Sequence, residues 1–467
     1  MNWNSYQTWL GNCLLSKLPL DMPCPNLLQL VTDSREIKPG DWFLPLKGET
    51  YDGHDFIDKA LENGAAGYFL KDDKNLAPSR KAPFIRVENT MKAYHLIASG
   101  WRSSLTNLKL IALTGSVGKT TAKNMLASML SNIGKTFSTP GNQNTEFSIP
   151  KAIFEIDSTY KYAVLEFGAR HPGDIATLTE MALPDISICL NAGVAHIEIF
   201  KTKEAIINTK LEIVSKSSKN TVGVVFRDNP VLFEKSLTFG RKIISFGEHK
   251  DSDICLESYK NSEKGMHICF KIQNVRYELI LPFYHETFAI NAAAALAAGV
   301  ALNLDPQECL NGLKTFSGVK GRYQISEIDG GKILIDDSYN ANPDSMKAGL
   351  TSLVHSFNSK KALLILGDMR ELGDMSEKAH REIAPYCVKI SPLRMITVGT
   401  NSKFIADECI KSGLNPKTFI HFNDVSDLLK DLHFYIKDVD LIYIKSSFSI
   451  QLTQVVDKLT HKENQGI

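Results

Sequence analysis

The chain has no surplus of charge of either sign: 53 Lys and Arg against 52 Asp and Glu leave a net charge of +1 over 467 residues. Bulk attraction to nucleic acid or to an anionic membrane surface is therefore excluded as a basis for binding, and partners must be recognised at local sites. Long hydrophobic runs are also missing. The most apolar stretch, Ala292 to Leu302, is alanine-rich, contains Gly299 and falls far short of the ~20 residues of a membrane span, so it reads as a packed helix rather than a membrane insertion. The eight cysteines (13, 24, 189, 255, 269, 309, 387 and 409) include no Cys-x-x-Cys pair, and no signal peptide stands ahead of them. Free thiols in a reducing cytosol are expected. No oligomer signature stands out, and a monomer is expected.

What is present is a phosphate cradle. Residues Thr114-Gly115-Ser116-Val117-Gly118-Lys119-Thr120-Thr121 follow the apolar run 108–113 and precede the helical pattern 122–130. A strand that stops in a glycine turn and restarts as a helix aims backbone N–H groups and the positive helix end at an anion. Lys119 adds charge, and Thr120 offers a hydroxyl to Mg²⁺. The usual pattern has a further glycine at 113, where this chain has Leu113, so the loop is a short Gly-x-x-Gly-Lys-Thr form.

With 43% hydrophobic residues, the chain has material for about three domains of ~150 residues. Residues 1–87 read as a small α/β unit of short strands and turns, closed by a buried strand after Gly64. A linker helix over 90–101 leads into residues 88–318, where apolar strands such as 162–165 and 186–190 alternate with helices over 174–181 and 204–215. That alternation predicts a mostly parallel, doubly wound sheet. Residues 319–467 repeat it, with strands at 332–335, 362–366, 394–398 and 441–444.

In such sheets ligands sit beyond the carboxyl ends of the strands. The strand 162–165 ends in Glu166, and 186–190 runs on to His196, so both could reach a metal beside the phosphate loop. Taken singly, a strand-end glutamate is as readily a cap or an ion-pair partner, and a lone histidine a satisfied surface group. Lys210 reads by pattern as an ordinary exposed cation. Asp336-Asp337-Ser338-Tyr339-Asn340-Ala341-Asn342-Pro343 concentrates polarity where a buried strand emerges. Gly367-Asp368-Met369-Arg370-Glu371 repeats the arrangement one strand later, where a purely structural aspartate is the competing reading.

At this point the residues resemble a family over essentially the whole chain: the ATP-dependent Mur ligases of peptidoglycan synthesis. The shared runs are Asp33-Ser34-Arg35, Lys38-Pro39-Gly40-Asp41, Gly48-Glu49, Asp52 to Phe56, Thr114 to Thr121, Gly141-Asn142 with Asn144, Glu166 with Gly168-Ala169, and Ala195-His196. They continue through Lys210 with Glu212, Gly321-Arg322, Asp336 to Pro343 and Gly367 to Gly373. The resemblance implies three α/β domains: a small N-terminal one for the UDP end of an acceptor, a central P-loop ATPase with a mostly parallel sheet, and a Rossmann-like C-terminal one. It implies that ATP lies on Thr114 to Thr121 with Asn291, Arg322 and Asp337, and that Mg²⁺ is held by Thr120, Glu166, His196 and a carbamylated Lys210. Lys119, His196, Lys210 and Arg322 take the catalytic roles. The implied substrates, UDP-MurNAc-tripeptide and D-alanyl-D-alanine, fall to Ser34, Arg35, Lys47, Asp52, His54, Asn144, Thr145, Tyr339, Asn340 and Asn342.

Three places depart from the family pattern. Thr145 and Ser148 replace an asparagine and a glycine; His285-Glu286 lies two positions upstream of where a histidine is expected before Asn291; and Lys445-Ser446-Ser447-Phe448 lacks the usual arginine at its end. The last departure leaves open a Mur-type ligase with another amine or carboxylate. A nucleotide switch without ligase activity is the remaining alternative, and a carbamylated-lysine position argues against it.

Overall fold

The computed structural model describes residues 1–73, 82–193, 197–262, 265–357 and 360–460. These residues form three sheets. The first carries four parallel strands in the order Leu30–Val31, Trp42–Phe43, Gly67–Lys71 and Phe84–Val87. Its inner residues, Trp42, Phe43, Tyr68, Phe69 and Leu70, are all buried.

The second sheet has nine strands. Lys109–Thr114 lies between Ile186–Cys189 and Tyr162–Glu166, with Thr136–Ser138 outermost on the Tyr162 side. On the other side Val222–Phe226, Ile243–Gly247 and Ile254–Ser262 continue in parallel. Every residue of the central strand after Lys109 is buried, as a strand covered by helices on both faces requires. Its side chains divide by parity. Ile111 and Leu113 join Met125, Leu126 and Met129 of the helix Lys119–Ser131 and the alanines of Thr287–Ala301, while Leu110 and Ala112 join Ile97, Ile175 and Leu211 on the opposite face.

Two features differ from the sequence expectation. The segment from 254 to 281 is not part of an alternating strand and helix pattern: Gly265–Ile272 and Val275–Leu281 extend the sheet as antiparallel strands. An edge hairpin needs no crossover helix, and Gly265–Ile272 shows period-two burial, with Met266, Ile268, Phe270 and Ile272 inward. The linker helix runs over Thr90–Ser104 and is a packed element rather than a spacer. It is capped by the Asn89 side chain, Trp101 donates to the Ile156 carbonyl at 2.9 Å, and Gly100 lies directly under the Trp9 indole.

The third sheet has the order Gln324–Ile328, Lys332–Asp337, Leu441–Lys445, Ala362–Gly367, Arg394–Val398 and Phe419–Phe422, parallel apart from its first strand. Register places Asp337 beside Lys445 at the carboxyl end. That end faces the phosphate loop: the Asp344 carboxylate adjoins Gly193, and Gly373 adjoins Glu198.

The phosphate helix is held from behind by Pro306–Leu313. A Cβ at Gly312 would stand 2.5 Å from the Met129 carbonyl oxygen and 2.8 Å from its Cα, and backbone cannot swing aside as a side chain can. Gly312→Ala is expected to cost about 1–3 kcal/mol of stability, read as a lower urea midpoint at unchanged m-value; an unaltered midpoint contradicts this packing.

Candidate functional site

A cavity of about 670 Å³ opens where the second and third sheets face each other. Its walls carry Ser116 to Thr121, Asn144, Glu166, Lys210, Asn291, Arg322, Asp337 and Tyr339. Motif and strand-end position point to the loop, Glu166 and Asp337, and family resemblance to Asn144, Lys210, Asn291, Arg322 and Tyr339. His196, expected with them, lies outside the described residues.

The phosphate loop divides into a scaffold and an open end. Thr114 is fully buried and donates its hydroxyl to the Phe167 carbonyl at 2.9 Å. The Asn191 side chain takes the N–H groups of Ser116 (2.9 Å) and Val117 (3.0 Å) and returns a bond to the Val117 carbonyl. Those residues therefore build the cradle rather than line it with free donors, which narrows the expected binding segment. Gly118, at φ +83°, turns the chain into the helix, a conformation glycine adopts without strain. No side chain caps that helix, so its first-turn N–H groups face the cavity without an intrahelical partner.

Beside the helix start, Thr120 donates to Glu166 Oε2 at 2.9 Å and Asn144 Nδ2 donates to Oε1 at 3.0 Å. Both carboxylate oxygens are thus oriented by neutral donors. Three cations, Lys119, Lys210 and Arg322, also line the cavity. Burial lowers the Lys119 pKa, Glu166 opposes that shift and Arg322 adds to it. Burial likewise lowers Arg322, whose guanidinium lies 4.2 Å over the Tyr339 ring. Lys210, expected at the surface, is buried on the inner face of Lys203–Ser215. Desolvation, reinforced by Lys119, brings its pKa down to about 7. Glu212, one half-turn on, accepts the N–H groups of Gly173 (2.9 Å) and Ala176 (3.0 Å) and so pins this helix to Asp174–Ala182.

In the third unit, Asp337 Oδ2 accepts from Lys445 (2.6 Å) and Tyr443 (3.1 Å), and Lys445 also donates to the Asn340 carbonyl. Ser447 accepts the Arg370 N–H and donates to Ala341. The loop 338–342 is therefore strapped down, with Asn342 turned onto Ser345. Asp368 follows the structural reading: it is fully buried and accepts the N–H groups of Thr400, Asn401 and Ser402. Its neighbours Arg370 and Glu371 reach the cavity instead.

Among the described residues of the first unit, only Glu49 reaches the walls. Arg35 pairs with Asp33 at 2.6 Å, Ser34 is buried with its carbonyl accepting from Asn63, and the backbones of Lys47 and Asp52 pair as an antiparallel bridge. His54 is buried with both ring nitrogens engaged, Nδ1 by Asp52 at 2.6 Å and Nε2 by the Lys71 N–H at 3.3 Å. That makes it a strut of the turn, with no nitrogen left for a ligand. The expected residues of this unit lie apart from the phosphate end of the site.

The departures from the family pattern have local explanations. Thr145 N–H donates to Ser148 Oγ at 3.1 Å, so the two replaced residues satisfy each other. His285 accepts the Thr287 N–H at the start of its helix, and burial, with Lys445 adding, takes its pKa down to about 3. Asn291 Nδ2, Arg322 Nε and Tyr323 Oη are buried without a partner among the described residues. Phe448, 65% exposed, stands at the cavity rim with its ring 5.9 Å from that of Tyr339.

Three contributors escaped sequence reading: Asn191, Lys445 and Lys123. Lys123 had a signal, since it interrupts the inward stripe Ala122, Met125, Leu126, Met129.

The pKa of Lys210 has a consequence for stability. The unfolded chain holds this proton up to pH ~10.4, whereas the folded chain releases it near 7, so between these values the unfolded state binds more protons and stability rises with pH. Below pH 7 the full cost of the buried charge is present. Lys210→Met is expected to be more stable than the parent at pH 6 in CO₂-free buffer, with the difference shrinking by up to about 1.4 kcal/mol per pH unit from 7 to 10. Urea midpoints of the two proteins that run parallel with pH contradict it.

Family models match three consecutive stretches: "Mur ligase family, catalytic domain" over residues 29–102, "Mur ligase middle domain" over 113–299, and "Mur ligase, glutamate ligase domain" over 321–448. The chain is 31% identical over 432 residues, 92% of each chain, to the UDP-N-acetylmuramoyl-tripeptide--D-alanyl-D-alanine ligase of Bacillus subtilis (strain 168). It is 32% identical to the protein of the same name from Synechocystis, covering 97% of this chain and 96% of that one. Among solved structures, MurF from Acinetobacter baumannii superposes with a TM-score of 0.87 at 26% identity, over 99% of both chains. The MurF ligase of Thermotoga maritima in complex with ADP gives 0.80 at 29% identity, over 93% of this chain and 98% of that one. With three family models in sequence order and relatives above 30% identity along almost its whole length, the chain belongs to the Mur ligase family.

Proposed function

We propose that the chain is the ATP-dependent ligase that joins D-alanyl-D-alanine to UDP-MurNAc-tripeptide, acting as a single cytoplasmic chain in peptidoglycan synthesis. The observation that carries this reading is the set Lys119, Thr120, Glu166, Lys210 and Arg322 around one cavity. Cations that depress one another in a dry site favour a polyanion that relieves their repulsion. Among the described residues no helix is long and apolar enough to cross a membrane.

The chemistry follows from the groups present. A terminal carboxylate oxygen of the acceptor attacks the γ-phosphorus of ATP; the bond to the β-bridging oxygen breaks, and ADP leaves with the electron pair. The dipeptide amine then attacks the acyl carbon, loses a proton and expels phosphate. Lys119, the first-turn N–H groups of the phosphate helix and Arg322 spread the charge of the transferring group. Asn291 Nδ2 and Tyr323 Oη, buried without partners among the described residues, are donors for the base and sugar. Closure of the third unit over the second keeps water from the activated carbonyl.

The oxygens of Thr120 and Glu166 fit Mg²⁺: they are hard donors 2.9 Å apart that would hold the ion, which when bound would neutralise phosphate charge. A Lys210 amine that gives up its proton near pH 7 is able to take up CO₂, which would turn it into an oxygen ligand beside Lys119. Asn144, Thr145, Tyr339, Asn340 and Asn342 line the cavity and in this reading contact the acceptor carboxylate and the dipeptide, with Phe448 at the rim. In this reading Arg35, Lys47 and the turn held by His54 receive the UDP end away from the chemistry.

Phosphate release from ATP should require UDP-MurNAc-tripeptide and D-alanyl-D-alanine together, and Lys119→Ala should lower its rate by at least about 10²–10³-fold. No release with both substrates, or release satisfied by another amine alone, rejects the assigned substrates.

A further inference from the structure

Lys123 is 1% exposed. A lysine is seldom buried so completely unless it is paired, yet among the described residues no carboxylate bonds this one. Its Nζ donates to the carbonyls of Thr139 (2.5 Å) and Gly141 (3.0 Å). Burial lowers its pKa, with Glu166 acting in the opposite sense. Methionine would fill the same volume without desolvating an ammonium, so the charge at this position does something that packing alone does not.

The two carbonyls show what that is. Thr139 sits beside the end of Tyr162–Glu166: its N–H donates to Val164, and its hydroxyl accepts the Glu166 N–H. Gly141, at φ +52°, opens the turn that delivers Asn144, whose carbonyl accepts the Gly168 N–H at 2.8 Å and whose Nδ2 holds Glu166 Oε1 at 3.0 Å. Thr120, one turn before Lys123 on the same helix, holds the other oxygen of that carboxylate. One ammonium thus ties the phosphate helix to both segments that fix Glu166. Lys119, also one turn earlier, is folded onto the Gly115 carbonyl, so the two lysines have separate tasks.

We propose that Lys123 is the positioning residue of the metal site: it sets the height of the loop 139–144 against the phosphate helix, and through Thr139 and Asn144 it fixes the Glu166 carboxylate opposite Thr120. The inference rests on the reading of this cavity as a metal-nucleotide site and adds the group that holds its metal-facing carboxylate in place. A charge-assisted bond to a carbonyl is about twice as strong as a neutral one, and two of them on one Nζ make a rigid strut that an apolar side chain cannot replace.

The test is Mn²⁺ binding in the presence of saturating ADP, read by electron paramagnetic resonance, together with metal-free ADP binding by calorimetry. The parent, Lys123→Met, Lys123→Arg, Asn144→Ala and the double variant Lys123→Met/Asn144→Ala are compared. Lys123→Met and Asn144→Ala should each weaken Mn²⁺ about tenfold while metal-free ADP affinity changes less than twofold, because the strut acts on the carboxylate and not on the cradle. The double variant should lose little more than either single one, since both act along one path. Lys123→Arg, which keeps the cation, should return to within about threefold of the parent. Mn²⁺ affinity unchanged in Lys123→Met, equal loss of metal-free ADP, or a double variant that shows the full product of the two losses overturns the inference. A parent that binds neither ADP nor Mn²⁺ instead removes the nucleotide reading on which it stands.

Discussion

The structure depends on one electrostatic crowding: Lys119, Lys123 and Arg322 are buried around Glu166, with Asp337 also facing Arg322, and Lys210 is buried close to Lys119. Burial alone disfavours each charge, and several of them disfavour one another. The fold tolerates this in two ways. Lys123 and Lys119 are bonded to backbone carbonyls, and Lys210 is near neutrality at physiological pH. What remains is a cavity whose buried cations favour a polyanion, and the surrounding helices and sheets hold those groups around it.

Legibility in the sequence followed from how locally each feature is encoded. The strand, turn and helix at 108–131 could be read directly, because apolar run, glycine turn and lysine are contiguous, and Glu166 and Asp337 could be read as polar residues closing buried strands. Lys210 was different. Its burial is set by the packing of Lys203–Ser215 against Asp174–Ala182, which no spacing within the helix announces. Family resemblance supplied the role expected of it, and the structure shows that it is buried. Asn191 and Lys123 bond to backbone atoms far away in sequence, the former to the loop at 116–117 and the latter to 139–141, so pattern gave no direct account of their partners.

The departures from the family pattern separate into two kinds. Thr145 with Ser148, and His285 with Thr287, are replacements that satisfy each other locally and leave the cavity wall intact. Phe448 is not compensated in that way. It leaves an apolar ring at the rim, close to Tyr339 and so to the Arg322 that covers it, and it is where this chain's handling of its amine substrate has most room to differ from its relatives.

The central claim is that the site makes a carboxylate electrophilic by moving phosphate onto it. It is tested most directly with UDP-MurNAc-tripeptide carrying ¹⁸O in both oxygens of its terminal carboxylate, turned over with ATP and D-alanyl-D-alanine and followed by mass spectrometry. The account predicts that each released phosphate carries one ¹⁸O and that the other stays in the new amide carbonyl. Phosphate free of label, with ligation still proceeding, would contradict it.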